Sequence, residues 1–352
     1  MATQYFTAAD AELTCRIGII NLHDDFPIAI AKQRFDGVYD SLRTYWLPRF
    51  RAGGVSAVVA AVFTPSVYVP EGALRHALWV LDGLFTEIED NRDDLEIASS
   101  AADLRRINAQ GKVAVLIALE GAEPLGNDLA VLRLLHRLGL RMLSVTWARR
   151  TALGAGDWEH DSSGGLTRLG HRAIKEMNRL GIIVDVSHGS DRTTADVLEV
   201  STKPVIASHA NARTLHNHPR NLTDGAIRTI AASGGLVGAV AVPNFIDAAG
   251  PTIARWADHI EHFIEVAGIE HVAIGADFYR YQREINAAQG IAEADGAPFP
   301  GTARFVFPGM ENSEELPGLT AELTKRGLAE GDLRKIYRDN FLRVMSAVVD
   351  GA

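Results

Sequence analysis

Eight short apolar runs alternating with helical patterns predict an α/β fold, a single-domain (β/α)8 TIM barrel. Two further observations agree. The runs are apolar throughout rather than alternating with polar residues, as parallel strands buried on both faces are. Five of the eight end in histidine or a carboxylate, and strand ends at the mouth of such a barrel are where its chemistry is delivered.

The first run is residues 17–22, followed by a helical pattern through 34–50. Residues 55–63 form the second, with helices at 73–90 and 101–110. The third is 113–119, with its helix at 129–138. The fourth is 142–145, followed by a Gly-rich loop at 151–165 and a helix near 171–180.

The fifth and sixth runs come from one stretch, residues 181–211, GIIVDVSHGSDRTTADVLEVSTKPVIASHAN. It repeats a single event: an apolar run (182–186, then 204–207), Ser-His, and a polar loop. Between the runs, residues 192–200 carry apolar side chains at helical spacing after Ser190, a suitable N-cap. The two strands of this βαβ unit point the same way, so His188 and His209 emerge side by side. Paired imidazoles suit a metal ion, and by themselves equally suit hydrogen-bonded strand ends.

The seventh run is 236–242, preceded by a helix at 223–232 and followed by one near 253–267; the eighth is 271–275. A loop rich in Gly, Pro and Ala follows at 279–317, a length more often functional than inert. Helices at 319–326 and 330–348 close one domain spanning 1–352, with its core at about 15–348. An open doubly wound sheet is the alternative fold, but His-Asp-Asp-Phe-Pro stands after the first strand in place of a Gly-rich phosphate fingerprint.

Composition narrows the function. A net charge of −9 with a pI near 5.7 argues against nucleic acid as a partner, which calls for clustered positive charge. Cys15 is the only cysteine, so no intrachain disulfide forms. The opening MATQYFTAADAEL has neither a basic segment nor an apolar run, and no apolar stretch approaches the roughly 20 residues of a membrane helix. The expectation is a cytoplasmic protein without membrane partners. Self-association stays open.

The strand ends read His23-Asp24-Asp25 after the first run, Glu120 after the third, Trp147 after the fourth, His188 and His209 after the fifth and sixth, and Asp277 after the eighth. Charged groups crowded at one mouth need pairing or a cation. His23 and Asp25, two apart on an extended strand, face one side and can share an ion. Glu120 lies between the first and fifth strands, so one of its oxygens can serve an ion held by His23 and Asp25, and the other an ion held by His188 and His209. A carboxylate bridge implies two divalent metals. The mixed nitrogen and oxygen ligands suit zinc best, with manganese or cobalt as alternatives.

Other polar residues carry weaker readings. His216 and His218 read as solvated loop residues, and Arg149 and Arg150 as either solvated or facing an acidic substrate group. His136, His171, His259 and His262 fall on helical patterns and read as surface residues.

Several segments together carry a family resemblance: HDDFP, ALEGAEPL, GLTRLGHRAIKEMNRLGIIVDVSH, KPVIASHANAR, HPRNLTD, IGADF and DNFLRVM. In collinear order from Ile17 to Met345, they resemble the renal or membrane dipeptidase family of the amidohydrolase superfamily, in its bacterial-type subgroup. The resemblance implies a binuclear zinc barrel that hydrolyses dipeptides with a metal-bridging hydroxide. It assigns His23, Asp25 and Glu120 to one ion and Glu120, His188 and His209 to the other. It also implies that Arg220 receives the substrate carboxylate and that Asp277 handles the proton of the hydroxide. Trp147 stands where the mammalian enzymes have a substrate-contacting histidine, and Gly121-Ala122-Glu123 replaces their Gly-Gly-His.

The leading expectation is therefore a metallo-dipeptidase acting on a small dipeptide-like substrate, with the configuration of its C-terminal residue open. Another amidohydrolase-type reaction, on a lactone or other amide bearing a carboxylate, is the alternative. Arg220, a fixed cation, favours a carboxylate-bearing substrate. A non-catalytic binding barrel would lack ligands, and none is missing.

Overall fold

In the computed structural model, which describes residues 5–159, 164–247, 250–278 and 309–352, the apolar runs form parallel strands. They are β1 (Ile19–Asp24), β2 (Val55–Phe63), β3 (Leu95–Ile97), β4 (Val113–Glu120), β5 (Leu140–Ser144), β6 (Ile183–Asp185), β7 (Val205–Ala210), β8 (Leu236–Ala239) and β9 (Val272–Ile274). Pairing runs around a closed ring through β1, β2, β4, β5, β6, β7, β8 and β9 and back to β1, while β3 lies outside it on β4. This is the eight-stranded barrel that the alternation predicts. The short strand β3 is an addition to the expected pattern.

Strand alternation divides the core in two. Ile20, Leu22, Val59, Leu116, Met142, Ile183, Ile206 and Leu236 fill the barrel interior, and their neighbours along each strand pack outward against the helices. Phe341, Val344, Met345 and Val348 join the interior cluster from the C-terminal helix. That helix covers the end where the strands begin: Asn340 donates to the carbonyl of Val272, and Arg343 to that of Gly234. One end of the barrel is thus stoppered with apolar side chains, and polar groups collect at the other.

Several boundaries differ from the sequence reading. Ile17 ends a helix, Ala8–Ile17, whose Thr7 and Asp10 form a capping box; Gly18, at φ 76°, then turns the chain into β1. The helix after β1 is Phe26–Phe35, with Pro27 in its first turn, rather than a pattern beginning at 34. The expected helix at 330–348 is broken by π-helical turns at Lys335–Asp339 and Ser346–Asp350. Residues 279–308 of the long loop after the last strand lie outside the described residues. Among the described residues no helix is long and apolar enough to cross a membrane.

Two irregularities position the site. The pairing of β1 with β2 shifts register between Asn21 and Asp24, and that of β7 with β8 between Ala207 and Ala210. Ile20 and Leu22, and likewise Ile206, point inward, so strict alternation would turn His23 and His209 outward. The shifts reverse the phase, and both rings enter the mouth, their centroids 3.7 Å apart. The Ser208 carbonyl is thrust against two glycines, Gly238 in β8 and Gly275 just after β9. A Cβ at Gly238 or Gly275 would come within 2.0 or 1.9 Å of its oxygen.

Candidate metal centre

Glu120, continuing the inward phase of Leu116 in β4, projects its Oε1 into the mouth. That oxygen lies 2.9 Å from His188 Nε2, 3.4 Å from His209 Nε2 and 3.6 Å from His23 Nε2. His188 Nε2 and His209 Nε2 are 3.1 Å apart, and His23 Nε2 is 3.6 Å from Asp25 Oδ1. Donor atoms around a tetrahedral ion with bonds of 2.0–2.1 Å stand about 3.3 Å apart, so these spacings fit a metal. The same oxygen, Oε1, is near all three imidazoles, where the sequence reading gave one oxygen to each ion.

Among the described residues three groups converge closely enough to hold an ion: His23, Asp25 and Glu120; Glu120, His188 and His209; and His23, His209 and Asp277. His23 Nε2 and Asp25 Oδ1 are buried without a hydrogen-bond partner, and both aim into this cluster. Orphaned buried polar atoms cost stability unless a ligand satisfies them. The residues present fit a divalent cation.

The electrostatics agree. Burial, then His23 and Arg220 among nearby charges, hold His188 and His209 well below the usual histidine range, so both rings are neutral and ready to ligate. Burial also works against a charge on His23, but Glu120, Asp25 and Asp277 outweigh it and push that imidazole up to about 10. Burial raises Glu120 well above the carboxylate range and lifts Asp277 to about 6, with His23 opposing in both cases. A cation bound here would take the place of the His23 proton as the counter-charge of these crowded carboxylates.

Two site residues hold left-handed backbone, His188 at φ 64° and Asp277 at φ 54°. Such strain in non-glycine residues gathers where function over-determines the chain. Asp277 donates its backbone N–H to the His23 carbonyl, and its Oδ1 lies 3.9 Å from His23 Nε2.

Arg220 is buried in the loop after β7. One terminal nitrogen, Nη2, donates to the His209 carbonyl at 2.6 Å, while its Nε has no partner. Trp147 stands beside His188, ring centroids 5.9 Å apart, and packs on Phe63 and Trp158. Arg149 stacks over Trp147 and donates to Glu123 Oε1 and to the Thr64 carbonyl, so it is bound within the protein. Arg150 pairs with Glu159 at the surface.

His259 corrects the sequence reading: it is buried, not on the surface. Its Nδ1 accepts from the Ala212 N–H, and its Nε2 therefore donates to the Ile246 carbonyl, tying the loop after β7 to the segment after β8. His216 and His218 are part-buried; His216 contacts the Asn244 carbonyl and His218 accepts from the Arg220 N–H.

Sequence reasoning passed over a buried polar layer below the candidate ligands, made by Ser144, Asp185 and Ser208. It also passed over Asp157, whose Oδ2 lies 3.8 Å from His188 Nδ1. A lone aspartate inside the apolar run IIVDV was the available signal for Asp185.

The sequence matches the family described as membrane dipeptidase, peptidase family M19, over residues 8–293 and 294–352. The chain belongs to this family. Dipeptidase verJ of Clonostachys rogersoniana is 31% identical over 357 residues, covering 96% of this chain and 86% of its own length. Among solved structures, the dipeptidase AC, a metallo peptidase of family M19, matches with a TM-score of 0.82 at 28% identity, over 95% of this chain and 99% of its own. A metallo peptidase from Rhodobacter sphaeroides, liganded with a phosphinate mimic of the dipeptide L-Ala-D-Ala, matches with a TM-score of 0.81 at 27% identity, over 94% and 99%. As a member of the membrane dipeptidase family the chain is a metallo-dipeptidase-type hydrolase, and the family implies a divalent metal.

Proposed function

We propose that this chain hydrolyses the peptide bond of a dipeptide bearing a free C-terminal carboxylate, using two divalent ions, zinc by preference. The observation that carries the reading is the convergence of three imidazole Nε2 atoms on Glu120 Oε1, beside a buried Arg220 whose Nε lacks a partner. His23, Asp25 and Glu120 would hold one ion, and Glu120, His188 and His209 the other. When bound, such ions lower the pKa of water and polarise a scissile carbonyl.

The side chains divide the remaining work. Arg220 binds the substrate carboxylate through its unpartnered Nε, since a buried guanidinium with a free donor is suited to an anion. Trp147 and Phe63 wall the mouth beside His188 and exclude water from the substrate. Asp277 takes a proton from the attacking water as the carbon–oxygen bond forms. It returns that proton to the amine nitrogen as the carbon–nitrogen bond breaks. The Rhodobacter sphaeroides relative was captured with a mimic of an L,D dipeptide, which supports a D residue at the C-terminal side as an accepted substrate.

The test is a screen of the zinc-loaded protein against L,L and L,D dipeptides, their C-terminal amides, and lactones. Hydrolysis of free-carboxylate dipeptides, abolished by a chelator and restored by zinc, is expected. Turnover of neutral lactones with none of any dipeptide would overturn the reading.

A further inference from the structure

Asp185 is a carboxylate with 0% exposure inside the barrel, two residues past Ile183 of the apolar interior. Burying a carboxylate there is costly unless hydrogen bonds hold it. Four do: Oδ1 accepts from the backbone N–H groups of Ser187 and Ser208, and Oδ2 from the hydroxyls of Ser144 at 2.7 Å and Ser208 at 2.6 Å. Asp185 therefore acts as an acceptor alone, and it takes the only hydroxyl proton that Ser208 has.

The oxygen of Ser208 also lies 2.7 Å from His209 Nδ1. With its proton committed to Asp185, Ser208 can only accept from the ring. Nδ1 then carries the imidazole hydrogen, and Nε2 faces Glu120 and His188 with its lone pair exposed. Ser187 completes the arrangement: its oxygen accepts from the His209 N–H at 3.1 Å and lies 3.2 Å from Ser208 Oγ. The two Ser-His pairs of the sequence thus differ in use, since both serines serve the second histidine.

We propose that Asp185 is a positioning residue that, through Ser208, fixes the tautomer and orientation of His209 for metal binding. The inference rests on the proposed role of His209 as a ligand. Its polarity can be reversed with one atom. In Asp185→Asn the amide oxygen must stay with the two backbone donors, so its NH2 faces Ser208. Ser208 then turns its proton toward His209 Nδ1, which forces the hydrogen onto Nε2, the coordinating nitrogen.

The experiment uses full-length protein labelled with 15N-histidine, read metal-free for tautomers by long-range 15N–1H correlation, then titrated with zinc against a chelator. Wild type is expected to show His209 protonated at Nδ1 and to bind zinc; Asp185→Asn, with a near-normal melting temperature, should show Nε2–H and bind the ion held by His209 about 10- to 100-fold less tightly. Ser208→Ala removes the link while keeping Asp185, and should give mixed tautomers and an intermediate affinity; it carries the test if Asp185→Asn does not fold. An Nε2–H tautomer in wild type, or unchanged tautomer and affinity in both variants, overturns the proposal. Wild type that binds no zinc while showing the expected tautomer shift would instead sink the metal assignment.

Discussion

Glu120 Oε1 lies 2.9 Å from His188 Nε2, inside the spacing of two donors on one ion. The same oxygen is 3.6 Å from His23 Nε2 in the other group, so removing the charge of Glu120 weakens both. Elemental analysis is expected to find two divalent ions per wild-type chain and at most one in Glu120→Gln. Equal metal content in the two proteins would remove the bridge.

Arg220 presents its unpartnered Nε from a fully buried guanidinium, a geometry that a lysine ammonium cannot reproduce. Arg220→Lys is expected to lower kcat/KM on free dipeptides by about 10- to 100-fold, the worth of one charge-assisted hydrogen bond. C-terminally amidated dipeptides, poor substrates throughout, should be barely affected. Matching losses on both substrate sets would show that Arg220 acts structurally.

For Asp277 the expectation separates chemistry from assembly. Asp277→Asn should retain both ions and lose roughly 10²- to 10⁴-fold in kcat, the usual worth of general acid–base catalysis. Single-turnover kinetics with metal analysis on the same sample checks this. Loss of an ion would make Asp277 a ligand instead, which its membership of a group with His23 and His209 leaves geometrically open.

Glu123 gives a pH signature outside the candidate metal centre. Burial, opposed by Arg149, pushes its carboxyl from 4.5 up to about 7. Between those values the folded chain keeps a proton that the unfolded chain releases, so this group's contribution to stability is full below pH 4.5 and lost as pH rises through 7. Relative to Glu123→Gln, wild type is expected to lose stability across that window, by roughly 3 kcal/mol in denaturant titrations. Parallel stability profiles for the two proteins would show that Arg149 neutralises the pair.

The barrel was legible because each of the eight strands of the ring carries its own signal, an apolar run bounded by helical spacing, which the short outer strand β3 lacks. The candidate ligands stood out because histidines and carboxylates rarely end such buried runs unless a partner or a cation holds them there. Less visible were features that depend on contacts distant in sequence. His259 sits on a helical pattern like any surface residue, and only the fold brings Ala212 and Ile246 to its two nitrogens. The register shifts that aim His23 and His209 inward leave no mark in composition. The helix at Ala8–Ile17 did leave one, the Thr7 and Asp10 capping pair, which is short and easily passed over beside a strong strand.

The Ser208 carbonyl, resting against Gly238 and Gly275, has a consequence for redesign. Trp147 is only part-buried at the mouth, where a library can vary it to seek new substrates. The floor under His209 has no such freedom: even a methyl group on either glycine would meet the Ser208 carbonyl. Two residues outside the donor cluster thus set the mechanical tolerance of the candidate centre, and their contribution is empty volume.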